Sequence, residues 1–493
     1  MILSAAEGGL SAGPGPAPRG PYPPVTVAAG ADKYAQRQGT LTIMNVQPHA
    51  EIISYNIHCN EVCASAARIS TTQGDANEIF EKAKENPKNL DLIRKVLNSG
   101  HKSFLEHAVF TIAFWNISAF VEQYFIECRL ASFTVKSRRY VDFSKFGYHI
   151  PPELEGAALE EYRRYMDRLF SAYGALLDAG VPREDARFVL PYSFHSNFYC
   201  TINARELAHV ISSIRHGRGR GVPELRCLAE QLLSQARDIF PGFPLEPDAP
   251  GPDGQADPDG GCFVLEPEPR WVHPGEAGSV QLVSAPSAPL DLLRAAHRIS
   301  APHAAQPFDA ARLVEAERAR ELEQLTYSFL ISDVTLSGIT HLVRHRMQSI
   351  LLPPIQSVNH SRYIAPASIQ ALPEAWDIYA SALGAAHGML REAADSPSLR
   401  KYGYYYALSG NLMDVMTTIN ARELRLFLQL RTCNRAQWEV REVAVSMLRR
   451  LREHCPELYG RFGPSCYLLG RCPEGKLTCG NMTEVAARFK GDL

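Results

Sequence analysis

Apolar residues along the chain follow two periodicities. HAVFTIAFWNIS (107–118) and LTYSFLIS (325–332) are short, β-branched and aromatic runs, and they read as strands. AALEEYRRYMDRLFSAYGALLDAG (157–180) instead repeats its apolar positions three and four apart before a Gly stop, which predicts a helix. INARELRLFLQLR (419–431) is helical by the same criterion. QWEVREVAVSMLRRLREHC (437–455) places Val440, Val443, Ala444, Met447, Leu448 and Leu451 on one face. Strands and helices mixed without strict βαβ alternation predict an α+β fold, each sheet mainly antiparallel and packed with helices.

The pattern occurs twice. TINAREL spans Thr201–Leu207 and again Thr418–Leu424, 217 positions on. At the same offset LEHAVFT (105–111) faces LEQLTYS (322–328), and Arg129 faces Arg346. AARIS ending at Ser70 resembles AHRIS ending at Ser300, and SRRY ending at Tyr140 resembles HSRY ending at Tyr363. Drifting offsets that return to 217 at TINAREL describe a duplicated domain rather than a short repeat. Gly, Pro and Ala dominate residues 1–40, read as a disordered arm, and Pro, Gly and acids dominate 244–277, read as a linker. The two domains are then 41–243 and 278–493.

Composition narrows the function classes. With 51 Lys and Arg against 53 Asp and Glu, the chain lacks the basic excess of a general nucleic-acid or anionic-membrane binder. It shows neither a signal peptide nor a membrane-length apolar run, and its 11 cysteines read as reduced thiols, so a cytoplasmic protein is expected. Cys466, Cys472 and Cys479 miss the usual zinc spacing, so no metal is expected. The arginines carry the chemistry. Asn420 and Arg431 lie eleven residues apart on one helix, about three turns. Arg422 lies near that helix's start, and LVRHRMQS adds Arg344, His345 and Arg346. Guanidinium forks suit phosphate oxygens.

GHKSFLEHAVFT, SRRY, PREDARFVLP, RHRMQS, INAREL and LRTCNRAQWEVR together resemble the flavin-dependent thymidylate synthase (ThyX) family, with two diverged copies in tandem. The resemblance implies an enzyme that methylates dUMP to dTMP with FAD as cofactor, and with methylenetetrahydrofolate and NADPH as co-substrates. It also implies active sites built across subunits. A homodimer of this chain would then imitate the family tetramer with four domains.

Residue by residue, the resemblance assigns His101, Ser103 and Glu106 to the cofactor and Ser137, Arg139 and Arg187 to the nucleotide. Both sets lie in the first half. In the second half it assigns Arg344, His345, Arg346, Asn420 and Arg422 to the cofactor, and Arg431 to the nucleotide and to catalysis. Each half has lost what the other keeps. The R-H-R of the first half is Glu127, Cys128 and Arg129, and its counterpart of Arg431 is Ile214. Arg215, Arg218 and Arg220 are candidates to compensate. In the second half Tyr404 stands at the Arg187 position, Gln324 replaces His107, and Pro353 and Pro354 lie in a longer substrate loop. The expectation is one composite site, with one difficulty: the family draws the counterparts of Arg187 and Arg431 from a single subunit. One-carbon transfer to another pyrimidine nucleotide, and a non-catalytic nucleotide-binding paralogue, are the alternatives.

Overall fold

The computed structural model describes residues 46–244 and 263–491, apart from 273–274, 276, 304–307 and 317. The N-terminal arm and most of the linker lie outside the described residues.

Each half holds a four-stranded antiparallel sheet of the same order. In the first half β1 (His49–Tyr55), β2 (Val109–Ser118), β3 (Ala131–Val135) and β4 (His195–Asn203) run β1-β2-β4-β3. The sheet of the second half is β6-β7-β10-β8, from β6 (Ser279–Ser284), β7 (Thr326–Thr335), β8 (Gln348–Leu351) and β10 (Leu412–Asn420). β2 and β7 bury alternate residues in the same pattern, Phe110, Ile112 and Phe114 in one and Tyr327, Phe329 and Ile331 in the other. Both carry a bulge at the same place, where Asn116 (φ 56°) and Asp333 (φ 59°) turn left-handed. Short polar side chains tolerate that region best.

A helix follows each central strand. Ser118 caps α1 (Ala119–Ile126) and Thr335 caps α5 (Leu336–Leu342) through their hydroxyls. The buried carboxylates of Glu224 and Glu439 accept from the backbone and hydroxyl of those caps at 2.5–2.7 Å. TINAREL has the same local task in both copies. It closes β4 or β10, and Asn203 or Asn420 then caps α3 (Ala204–His216) or α7 (Ala421–Arg431). α4 (Pro223–Ile239) and α8 (Trp438–His454) pack behind these.

The halves meet about a pseudo-twofold. The long helices α2 (Gly156–Asp178) and α6 (Pro373–Asp395) pack on each other, and Pro191 and Leu408, 217 apart, form a bridge between the halves. There Tyr192 N donates to Ala407 O (2.7 Å), Ser409 N to Leu190 O (2.9 Å) and Gly410 N to Phe188 O (3.0 Å). A Cβ on Gly410 would stand 2.9 Å from Phe188 O, so this crossing requires glycine. One hydrophobic core runs through both halves.

The segment read as a linker ends in structure. β5 (Arg270–Val272) pairs in parallel with β9 (Arg362–Ile364), and Phe263 rests on His360 and Tyr406, each 5.2 Å between centroids. No helix among the described residues is long and apolar enough to cross a membrane.

Candidate functional site

The duplication creates two equivalent positions between the halves, and they differ completely. At the first, the loop after β3 and the turn after α2 bring Arg138, Arg139 and Arg187 from the first half. The end of α5 brings His341, Arg344 and His345, and the end of α7 brings Arg431. His341 lies within the fields of Arg187, Arg344, Arg431 and Arg139 together. Burial and those four charges hold its imidazole well below the usual range, hence neutral. Its buried Nε2 has no hydrogen-bond partner.

These arginines are unequally compensated. Arg138 is buried and pairs with Glu122 at 2.7 Å, so it belongs to the scaffold. Arg139 Nε donates to Glu184 at 2.6 Å, and its Nη2 donates to Arg435 O at 3.1 Å across the halves. Arg187 donates to Glu184 O at 3.0 Å, while its buried Nη2 is unpartnered. Burial first, then Arg138, pull its pKa down to about 10. Arg431 is likewise pulled down to about 10, by burial and then by Arg344 and Arg139. Both remain charged at neutral pH, so the site gathers positive charge from two halves with too little anion to match it. A buried or half-buried cation without its counter-charge is costly, which makes this a site for an anion. Arg187 and Arg431 both lie close to His341 although they come from different halves.

Next to the cluster lies a cavity of about 240 Å³, lined by Arg139, Tyr140, Arg431, Arg435 and residues of the C-terminal segment. Cys433, Cys466, Cys472 and Cys479 also face it. Among the described residues no group of three or more His, Cys, Asp or Glu could hold a metal ion.

At the counterpart position the same backbone is sealed. Tyr404, in place of Arg187, is buried against Phe120 with centroids 4.5 Å apart. Tyr405 hydroxyl donates to Glu224 at 2.7 Å, and Ile214, in place of Arg431, is fully buried. Arg362, the counterpart of Arg139, is paired with Asp333, which the β7 bulge presents to it, and β5 covers its strand. Glu127 is paired with Arg218, and Arg215 makes a bidentate pair with Glu230 at 2.8 and 3.0 Å. These two candidate replacements are therefore already used, and Arg220 stands exposed. Burial pushes the Cys128 thiol up to about 12.

The remaining candidates fall outside the arginine cluster. His101 lies exposed just ahead of a 3-10 turn that precedes β2, and Ser103 and Glu106 lie exposed on it, where Glu106 pairs with Arg205 at 2.5 Å. In the second half the equivalent pair is Glu323 with Arg422, so Arg422 has a structural partner and Asn420 acts as a helix cap. Ser137 Oγ accepts from Arg139 N at 3.3 Å and shapes the loop. Arg346 donates to Ser132 of the first half, close to Arg129, whose two terminal nitrogens are buried without partners. The sequence reading missed His341, Glu184, Arg435 and Glu423. The first is visible only when Tyr124 is aligned opposite it, and Glu423 sits inside TINAREL itself.

The family described as thymidylate synthase complementing protein matches residues 51–242 and 281–457, most of the chain. The flavin-dependent thymidylate synthase of Geobacter sulfurreducens is 32% identical over 179 residues, covering 34% of this chain and 74% of that protein. That of Saccharolobus solfataricus is 30% identical over 193 residues, 39% of this chain and 73% of that protein. A crystal structure of the UMP/dUMP methylase PolB from Streptomyces cacaoi with 5-Br dUMP aligns at 25% identity and a TM-score of 0.34, covering 40% of this chain and 94% of that one. The chain therefore belongs to the thymidylate synthase complementing protein family, that of the flavin-dependent thymidylate synthases, and carries the family's domain twice.

Proposed function

We propose that the chain methylates dUMP to dTMP as a flavin-dependent thymidylate synthase, with FAD as cofactor and methylenetetrahydrofolate and NADPH as co-substrates, at one nucleotide site per chain. The observation that carries this reading is the convergence of Arg139, Arg187, Arg344 and Arg431, from both halves, around the neutral His341. In this reading Arg139 and Arg187 take the 5′-phosphate, and Arg344, which the resemblance assigns to the cofactor, joins them because it lies in the same cluster; guanidinium forks match the three oxygens. Arg431 faces the pyrimidine ring. Its Nη2 donates to His341 O at 3.3 Å and its Nε to His345, so the guanidinium is fixed before substrate arrives. A positive charge held where carbonyl oxygens gain negative charge lowers the barrier.

An anionic cofactor fits near Arg129 and Arg346: they face each other across the halves, and the former has two buried unpartnered nitrogens. A flavin bound there would supply hydride transfer, leaving to the protein orientation and charge. A second copy of the chain would bring further residues to the exposed His101, Ser103 and Glu106. Tyr199 and Met416, equivalent positions on the outer sheet faces, are 53% and 39% exposed and suit such a dimer contact. The altered loop at Pro353 and Pro354 belongs to the sealed position, and this favours dUMP over another pyrimidine.

The test is a titration of the purified full-length chain with dUMP, alongside its visible spectrum and rescue of a thymidine-requiring strain. Flavin absorbance, one dUMP per chain and rescue are expected. A colourless protein with no affinity for dUMP overturns the proposal.

A further inference from the structure

Glu423 lies on the first turn of α7, two turns below Arg431, and makes its closest side-chain contact with a third residue. Its Oε1 stands 3.0 Å from His345 Nδ1, and His345 Nε2 in turn stands 3.0 Å from Arg431 Nε. The guanidinium has only protons to give, so Nε2 must present its lone pair and the imidazole proton must sit on Nδ1, facing the carboxylate. The Phe427 ring, 4.9 Å away, closes one side of the imidazole, and His345 is 5% exposed. The charged groups facing it are Glu423 and Arg431 from α7 and Arg129 from the first half. Burial lowers its pKa, with Arg431 and Arg129 acting the same way against Glu423, so the ring is neutral as the geometry requires.

We infer that Glu423 is a positioning residue: it fixes the tautomer of His345, which holds Arg431 in the orientation that the pyrimidine site uses. A free histidine side chain slightly favours the opposite tautomer, which would set an N–H against the Arg431 N–H. The carboxylate removes that state. The first half shows the device dismantled around the same glutamate. There Glu206 occupies the position of Glu423, but the imidazole has become Cys128 and the arginine Ile214. Identical local sequence thus serves a three-residue relay in one copy and only a helix start in the other.

The relay is a feature of the unliganded protein, whereas its effect on dUMP rests on the function proposed above. The experiment reads the two separately. In full-length protein labelled with ¹⁵N-histidine, His345 is assigned by its loss in His345→Gln, and its tautomer is read at neutral pH in wild type, Glu423→Leu, Glu423→Gln and Glu423→Asp. Affinity for dUMP is measured on the same samples. The expected result is an Nδ1–H tautomer in wild type and in Glu423→Asp, a switch to Nε2–H in Glu423→Leu, and roughly tenfold weaker dUMP binding in the latter. Glu423→Gln, which keeps an acceptor oxygen and the helix start, retains the wild-type tautomer. An Nε2–H tautomer in wild type, or a Glu423→Leu protein with unchanged tautomer, overturns the relay. A switched tautomer with unchanged dUMP affinity overturns its role in positioning. Absence of any dUMP binding in wild type overturns the proposed function, and the tautomers still decide the relay.

Discussion

Two positions related by the internal pseudo-twofold have opposite contents. One gathers Arg139, Arg187, Arg344 and Arg431 about His341, and the other packs Tyr404, Phe120 and Ile214 with its remaining arginine tied to Asp333. The backbones around them agree down to the bulge, the capping hydroxyls and the buried glutamates. Two copies in one chain are free of a requirement that identical subunits must meet, namely that both positions keep the same residues. The scaffold was kept by packing, while charge was retained only where both halves could still contribute to it.

The strongest way to break this comparison is to restore the arginine at the sealed position. Tyr404→Arg would bury a charge against Phe120, where the nearest carboxylates are already committed, Glu224 to Ser118 and Tyr405 and Glu153 to Tyr402. A loss of about 3–5 kcal/mol in unfolding free energy is expected from denaturant titration. Unchanged stability would show that the position is open after all.

Acid tests one substitution between the halves next. His195, at the start of β4, has Leu412 as its counterpart. Burial first, then His149, hold His195 down to about 4, with the Phe146 carbonyl and Glu224 opposing. Since its folded pKa lies below the unfolded value, the stability is complete above about pH 6.5 and is lost as pH falls toward 4. The loss attributable to this group is on the order of 3 kcal/mol. His195→Leu should make that part of the pH profile shallower by this amount, with His360, which burial also holds down to about 4, keeping its own share, and an equally steep profile in the variant would assign the acid sensitivity elsewhere.

Nucleotide binding should follow the arginines of one position only. Arg187→Ala and Arg431→Ala each remove a charge-assisted donor, and dUMP affinity should fall about 10- to 100-fold by calorimetry. Arg362→Ala, the equivalent change on the sealed side, should leave affinity within about twofold. Equal losses on both sides would mean that both positions bind.

How much of this was legible in the sequence follows from what each feature depends on. The strand at 107–118, the helix at 157–180 and the helix closing on Arg431 were readable, because periodicity is a local property and burial imposes it. The duplication and the complementary decay of Arg344 against Glu127, or Arg431 against Ile214, were readable from offsets alone. The partners were not. Asn116 and Asp333 occupy equivalent left-handed bulges, but that the Asp333 carboxylate claims Arg362 depends on where the bulge aims it, 29 residues along the chain. The role of Glu423 was hidden for a related reason, because its letters are the same in both copies and only its neighbours differ.

That pair also gives the smallest effect and the sharpest question. Asp333→Asn copies Asn116 into the second half, keeps the residue type that tolerates positive φ, and removes the charge that Arg362 pairs with. Both side chains of the pair are about one-fifth exposed, so the loss of stability should not exceed about 1 kcal/mol. Without that counter-charge the counterpart position still has Tyr404 and Ile214 where the other has Arg187 and Arg431, and one guanidinium alone cannot hold a phosphate. The stoichiometry of dUMP in Asp333→Asn should therefore stay at one per chain. A second equivalent would show that a single ion pair, and not the aromatic packing, is what closes the counterpart position.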